Sequence, residues 1–463
     1  LTLHTPDLTL TQTIMGRIRD QIARRQLSAG ARLPSIRATA DAQNVSKSTV
    51  VEAYDRLVAE GAITSRRGSG YFVASAHAPL SLAEIGPGLD RAVDPLWVSR
   101  QSLETRDYLK PGCGWLPPSW MPDDEIRRAL RSLARNPNAD LFDYSTPSGH
   151  TRLRQLLSRR LIERDIAASP AQIILMDSAT QAIELLCRFL LKPGDTVLVD
   201  DPCYFNFLAK LRAHQVRVVG VPYTPTGPDM AILSATLETH RPRLYLTNTA
   251  MHNPTGATLS PVNAHRLLKL AEAYDLTIIE DDIYSDFELE PGARLSAFDG
   301  FERVVYVGGF SKALSASIRL GYIAASADWI EPLTDLKIAT LFSSQTFAAE
   351  LVCQVLSDGH FRRHLDTLRQ KLAAVRGQTA ERLEALGVKP WFRPQAGMFL
   401  WCELPEGCDG SELAQKALGE RIVLAPGNAF SVSQTASRFL RFNIAQSQDE
   451  RLYAFLKANL KPR

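Results

Sequence analysis

The chain has no preponderance of either charge. Its 53 Lys and Arg stand against 50 Asp and Glu, a formal net charge of +3 over 463 residues. That excludes a polycation or polyanion as a whole-chain class. There is no cysteine framework either. The six cysteines, Cys113, Cys187, Cys203, Cys353, Cys402 and Cys408, are scattered without a C-x-x-C pair. This excludes a disulfide scaffold and a cysteine zinc site. No apolar run reaches the roughly 18 residues that mark a membrane span. The opening residues lack the charged-then-apolar layout of a secretory signal. A cytoplasmic protein in a reducing compartment, with no membrane partner, is expected. Disorder is excluded as well, because 45% of residues are hydrophobic and 22% charged, close to globular averages. At roughly 100–200 residues per domain, the length asks for more than one.

The charge is unevenly placed. Residues 1–75 hold ten Arg and Lys against six Asp and Glu, net +4, which leaves the remainder at −1. A small basic piece on a neutral body suggests a polyanion-binding module joined to something else. Its pattern is specific. Ile14, Ile18, Ile22 and Leu27 recur at mostly helical spacing over 10–27, which Ser28-Ala29-Gly30 ends. Ser35 caps a second helix, Asn44 marks a turn, and Ser46 caps a third. That third helix carries Val50, Tyr54, Leu57 and Val58 on one face and closes at Gly61. Ile63-Thr64 and Tyr71-Phe72-Val73 flank a glycine-rich turn, as in a β-hairpin. Three helices and a hairpin make a winged helix-turn-helix over residues 8–75.

These residues resemble the GntR family of bacterial regulators. The resemblance is carried by Leu33-Pro34-Ser35-x-Arg37, Val45-Ser46-Lys47-x-Thr49-Val50, Ala53-Tyr54, Leu57, Gly61 and Arg66-x-Gly68-Ser69-Gly70-x-Phe72-Val73, in order over about 60 residues. Operator DNA is the implied partner. Ser46, Lys47, Ser48 and Thr49, at the start of the third helix, can enter a major groove. Arg37 can reach phosphate or base, and Arg66 and Arg67 suit a wing. The competing reading is a small basic helical domain that binds protein; net +4 by itself does not separate the two.

Residues 76–106 read as a linker. Periodicity fails there and Gly86-Pro87-Gly88 breaks structure, although Ile85, Leu96, Trp97 and Val98 suggest that it lies partly on the large domain. From 107 to 463, short apolar runs alternate with amphipathic stretches. Ile173–Met176, 197–199, 216–221, Leu244–Leu246, 277–279, 304–307 and 322–325 read as strands, and 178–192 and 260–274 as helices. This predicts an α/β fold with a mostly parallel sheet, whose ligands bind at the strands' carboxyl ends.

The residues past those strands form an ordered set: Ser178-Ala179-Thr180-Gln181, Asp201-Pro202-Cys203-Tyr204, His252-Asn253-Pro254-Thr255-Gly256, Glu280-Asp281-Asp282-Ile283-Tyr284, Gly309-Phe310-Ser311-Lys312, Arg319-Leu320-Gly321 and Arg438-Phe439-Leu440-Arg441. The set resembles the fold-type-I, aspartate-aminotransferase-like enzymes that use pyridoxal 5′-phosphate (PLP). The resemblance implies that Lys312 forms the Schiff base with the cofactor and that Asp281 holds the pyridine nitrogen protonated. It implies that Asn253 and Tyr284 bond the ring hydroxyl, and that Tyr204 stacks on the ring. Ala179, Thr180, Ser311 and Arg319 would hold the phosphate, joined by Tyr144 from the partner of a homodimer. Arg441 would clamp a substrate or effector carboxylate. Asp282 competes with Asp281, and Arg438 with Arg441; register favours Asp281 and Arg441. His252 and Cys203 read as packing. Gly309 departs from members with serine there, and Ala316-Ser317 from a Pro-Gly pattern. No metal is expected, since His360 and His364 lack a third ligand.

A GntR-like head on an aminotransferase-like body is similar to the MocR subgroup of bacterial regulators. What this implies is a PLP-dependent transcriptional regulator responsive to PLP or to an amino acid or amine. A working aminotransferase with a DNA-binding appendage, and a repressor whose large domain is only a dimerisation scaffold, remain open alternatives.

Overall fold

The computed structural model describes residues 9–24, 26–28, 30–66, 69–74, 95–105, 107–137 and 142–460. The chain divides into two compact units, Leu1–Ser81 and Leu82–Arg463.

In the first unit, α1 (Leu10–Ala23) opens with a capping box in which Thr9 and Gln12 satisfy each other's backbone N–H groups. The helix stops at Ala23, short of the turn at 28–30 expected from the sequence. Beyond it, the N–H groups of Gln26 and Leu27 both bond Gln21 O, so Leu27 packs on the core from a turn rather than from a helix face. Serine caps start α2 (Ile36–Gln43) and α3 (Lys47–Ala59), at Ser35 and Ser46 as expected. Asn44 closes α2 in the left-handed region at φ 50°. β1 (Ile63–Arg66) pairs antiparallel with β2 (Gly70–Val73). Val50, Tyr54 and Leu57 are fully buried among Ile14, Ile18 and Ile63. Three short helices and a hairpin thus share one small core.

The second unit begins, among described residues, with α4 (Pro95–Glu104). This corrects the reading of 76–106 as irregular throughout. Val98 is its one buried apolar residue, against Phe205, Trp401 and Phe430, with Ser102 buried one turn on, so one narrow apolar edge left no clear period. Helices α5 (Asp123–Arg135) and α6 (Thr151–Ile162) precede an eight-stranded sheet. Its strands are β3 (Ile173–Met176), β4 (Thr196–Asp201), β5 (Arg217–Thr224), β6 (Gly227–Pro228), β7 (Leu244–Thr247), β8 (Thr277–Asp281), β9 (Val304–Gly309) and β10 (Gly321–Ala324). Their order is β3-β10-β9-β8-β7-β4-β5-β6. β5, β4, β7, β8 and β9 run parallel, while β10 is antiparallel to both β3 and β9. That reversal has a consequence for the site. Residues preceding β10, Arg319 among them, meet the carboxyl ends of β3 and β9. A second sheet of four antiparallel strands, in the order β11-β12-β14-β13, follows the long helix His360–Glu384. These strands are β11 (Lys389–Pro390), β12 (Phe399–Glu403), β13 (Ala425–Pro426) and β14 (Phe439–Asn443). No helix among the described residues is long and apolar enough to cross a membrane.

Candidate functional site

At the carboxyl ends of the parallel strands lies a cavity of about 530 Å³. One end is the start of α7 (Ala179–Leu190), capped by Ser178, whose Oγ accepts from Gln181 N at 3.1 Å. The capped turn leaves early N–H groups free to attract an anion. Gly321 lets this turn approach β10, since a Cβ there would stand 2.4 Å from Ala179 N. Ala179, Thr180, Ser311 and Arg319 all line this end. Arg319 holds φ 53°, a left-handed conformation unusual for arginine. Lys210, from α8 (Phe205–Ala213), also lines it and donates from Nζ to Thr180 O at 2.8 Å. Burial lowers the Lys210 pKa. The sequence reading missed Lys210, because nothing in its neighbourhood marks it before α8 is laid beside α7.

Asp281, at the end of β8, is 1% exposed, and its Oδ1 has no hydrogen-bond partner. Burial pushes its carboxyl up to about 7. A carboxylate so placed lacks a cationic donor, and a protonated pyridine nitrogen is of the right kind. Asp282 turns the other way, as the neighbouring residue on an extended chain does. It accepts from Arg294 Nε at 2.9 Å and from Tyr306 OH at 2.8 Å, inside the core. Asp281 is therefore the carboxylate that lines the cavity.

Lys312 lines the cavity too, and its Nζ donates to Gly114 O at 2.6 Å. Burial, and then the positive charge of Arg441, push the Lys312 amine down to about 8. Tyr204 flanks the same space, its OH accepting from Asn206 Nδ2 at 2.8 Å.

Arg441 on β14 marks the other end and is 1% exposed. Nη1 donates to Asn253 Oδ1 at 2.7 Å and Nη2 to Gly112 O at 2.6 Å, while Nε has no partner. Aromatic rings of Phe399 and Phe430 lie 4.5 and 4.8 Å from its guanidinium. Asn253 in turn donates to Tyr284 OH at 3.2 Å. Asn253 and Tyr284 thus sit just behind the cavity wall, Asn253 against Arg441 and the Tyr284 ring 5.6 Å from Lys312 Nζ. Arg438 instead pairs with Glu403 at 3.2 Å and is partly exposed, away from the cavity. His252 bonds Thr255 and Asp200 and stacks on Tyr223, as packing. Cys203 is buried among apolar side chains. The turn Gly112-Cys113-Gly114, which receives both Arg441 and Lys312, was also missed; its alternate glycines were the available signal.

Tyr144 does not line this cavity. It is 77% exposed, and its ring meets that of Phe342 edge to face at 4.9 Å between centroids.

In the first unit, Arg37, Lys47, Ser48 and Arg66 are exposed, and Thr49 is half-buried. Ser46 Oγ is engaged in the cap, accepting from Thr49 N at 3.1 Å and bonding the Ser48 hydroxyl at 2.7 Å. Arg66 lies over the Phe72 ring at 4.6 Å. Arg67 lies outside the described residues.

Comparison with known proteins agrees with both halves. Residues 10–73 match the family of bacterial regulatory proteins, gntR family, and residues 119–458 match aminotransferase class I and II. The chain is 32% identical over 450 residues to an uncharacterized HTH-type transcriptional regulator of Escherichia coli (strain K12), YdcR, covering 95% of this chain and 96% of that one. It is 29% identical over 366 residues to aromatic-amino-acid aminotransferase 1 of Thermococcus litoralis, covering 77% and 88%. The structure of Pyrococcus horikoshii kynurenine aminotransferase, in complex with PMP, superposes with a TM-score of 0.72 at 26% identity, covering 78% of this chain and 91% of that one. Fold and site thus define a class, a DNA-binding winged helix fused to a domain of the PLP-dependent aminotransferase fold. Within it, the chain belongs to the MocR subgroup of GntR-type transcriptional regulators.

Proposed function

We propose that this protein binds PLP at Lys312 and regulates transcription by coupling an amino acid or amine at that site to operator binding by the winged helix. The observation that carries the reading is the buried, unpartnered Asp281 Oδ1 in the same cavity as Lys312. When bound, PLP supplies an aldehyde for an amine and a ring that withdraws electrons from it. The chain's own residues do the rest. Asp281 holds the proton on the ring nitrogen. The start of α7, Ser311 and Arg319 fix the phosphate. Tyr204 covers the ring face. Asn253 and Tyr284 orient Arg441, which takes the ligand's carboxylate in a planar, charge-assisted pair. Lys312, whose amine burial and Arg441 bring down to about 8, would be the side chain that holds the cofactor's aldehyde. A ligand so held changes DNA binding only if it prefers one arrangement of the chain over another.

A homodimer is part of the proposal. Phe142, Tyr144, Phe342 and Phe347 are 96%, 77%, 61% and 50% exposed, an apolar face of the kind that another copy covers. Tyr144 on that face would reach the partner's phosphate site. On DNA, Lys47, Ser48 and Thr49 enter the major groove, while Arg37 and Arg66 hold the flanks.

Borohydride reduction of the PLP-loaded protein tests the site. The label is expected on the peptide carrying Lys312, and label elsewhere defeats the proposal. Gel-shift titration with and without amino compounds tests the coupling. The intact set of Lys312, Asp281 and Arg441 also favours a second reading, a working aminotransferase. Sustained turnover at ordinary enzyme rates of about 1–1000 per second would select it.

A further inference from the structure

The cavity's charges do not balance. Lys210, Lys312, Arg319 and Arg441 line it against a single carboxylate, Asp281, among the described residues. Two of the cations belong to the α7 end. Arg319 is there, and Lys210 is tied to Thr180 O in the first turn of α7. No carboxylate among the described residues lies within ion-pair distance of Lys210. A dianionic phosphate on that helix start matches these two charges. Lys312 is committed to the aldehyde. Arg441 remains, pinned by Asn253 and Gly112 and sufficient for one carboxylate. Among the described residues that line the cavity, no cation is left for a second.

The wall not assigned to phosphate, ring or carboxylate is α4. Val98, Ser99, Ser102 and Leu103 line the cavity. They form two i, i+4 pairs on one helix face. That face offers two hydroxyls and two aliphatic side chains. Arg100, the cation of α4, is exposed and outside the lining. A charged ligand side chain laid against this wall would lose hydration without gaining a partner.

Resting on the PLP reading above, we infer that α4 is the wall that reads the ligand's side chain, and that it selects an amino compound with one carboxylate and no other charge, against aspartate and glutamate.

The isosteric pair glutamine and glutamate tests this on the PLP-loaded full chain, by the change each causes in cofactor absorbance. Glutamine, and uncharged amino acids of similar size, should reach half-saturation at roughly tenfold lower concentration than glutamate. Leu103, 72% exposed, tolerates a longer side chain. Leu103→Arg supplies a cation on this wall, so the glutamate-to-glutamine ratio, both half-saturations being read on the PLP-loaded variant, should fall about tenfold. Equal half-saturation for the two in the wild type, or an unchanged ratio in Leu103→Arg, overturns the inference. So does a PLP-bearing protein that no amino compound perturbs. A protein that takes up no PLP at all fails the earlier reading instead, which keeps the two failures apart.

Discussion

Arg441 donates from Nη1 to Asn253 Oδ1 at 2.7 Å, although 188 residues separate the two in sequence. The bond joins β14 to the turn after β7, and Asn253 passes it on to Tyr284 OH at 3.2 Å. A buried guanidinium with two of its nitrogens held and no carboxylate partner among the described residues is arranged for an incoming anion. Arg441→Ala should therefore weaken the response to an amino compound about 10- to 100-fold, the worth of charge-assisted hydrogen bonds. Absorbance should show PLP still bound. A wild-type response in that variant would place the ligand's carboxylate elsewhere.

The rate at which the apo-protein captures PLP should depend on pH through Lys312. Only the neutral amine attacks an aldehyde, and burial with Arg441 nearby brings that amine from 10.5 down to about 8. Capture should thus rise with a midpoint near 8. Arg441→Leu removes the neighbouring positive charge, so the midpoint should move up. The same shift has a stability sign. Between about 8 and 10.5 the unfolded chain binds the extra proton, so this group makes the apo-protein more stable as pH rises through that window. Stopped-flow absorbance and thermal melts across pH check both. A midpoint near 10.5 would mean that the amine is solvated.

Lys47→Ala and Arg37→Ala should weaken operator binding while leaving PLP spectra as in the wild type. A base-reading side chain is worth about 1–3 kcal/mol and its loss relaxes sequence preference; a phosphate contact lowers affinity uniformly and reduces the salt slope by about 1. Footprints unchanged in both variants would put the DNA face elsewhere on the unit.

Tyr54 is fully buried, and its OH donates to Pro34 O at 3.0 Å and meets Thr39 Oγ1 at 2.8 Å. It ties the start of α2 to α3. Tyr54→Phe should cost the winged helix about 1–3 kcal/mol of stability, because Pro34 O and the Thr39 hydroxyl lose their partner. Denaturant unfolding of the full chain should show the first unit's transition shifted to lower denaturant and PLP absorbance unaffected. An unshifted transition would mean that water replaces the hydroxyl.

Much of this was legible in the sequence, for local reasons. Ser35, Ser46 and Ser178 cap helices because a short hydroxyl accepts from an N–H three residues on, and that needs nothing distant. Buried strands such as β3 and β9 read as short apolar runs because both faces are covered. The stretch at 95–104 was not legible as a helix, since a single apolar edge around Val98 produces little period. Helix α1 ended early for a related reason: Leu27 satisfies the core from a turn, which spacing does not distinguish from a helix.

The order of residues by itself determined two modules, a mostly parallel sheet, and the set of side chains gathered at its carboxyl ends, because strand direction dictates where those residues emerge. Register favoured Asp281 over Asp282 and Arg441 over Arg438; tertiary structure supplied the physical reason for each and alone decided between distant partners. Asp281 lines the cavity and Asp282 the core because adjacent residues of an extended chain point to opposite sides. Arg441 is inside and Arg438 is not because of how β14 lies against β12 and β13. Lys210 joins Arg319 only when α8 lies beside α7. Charges act through space, and the sequence carries no record of which of its distant charges will share one small volume of low dielectric.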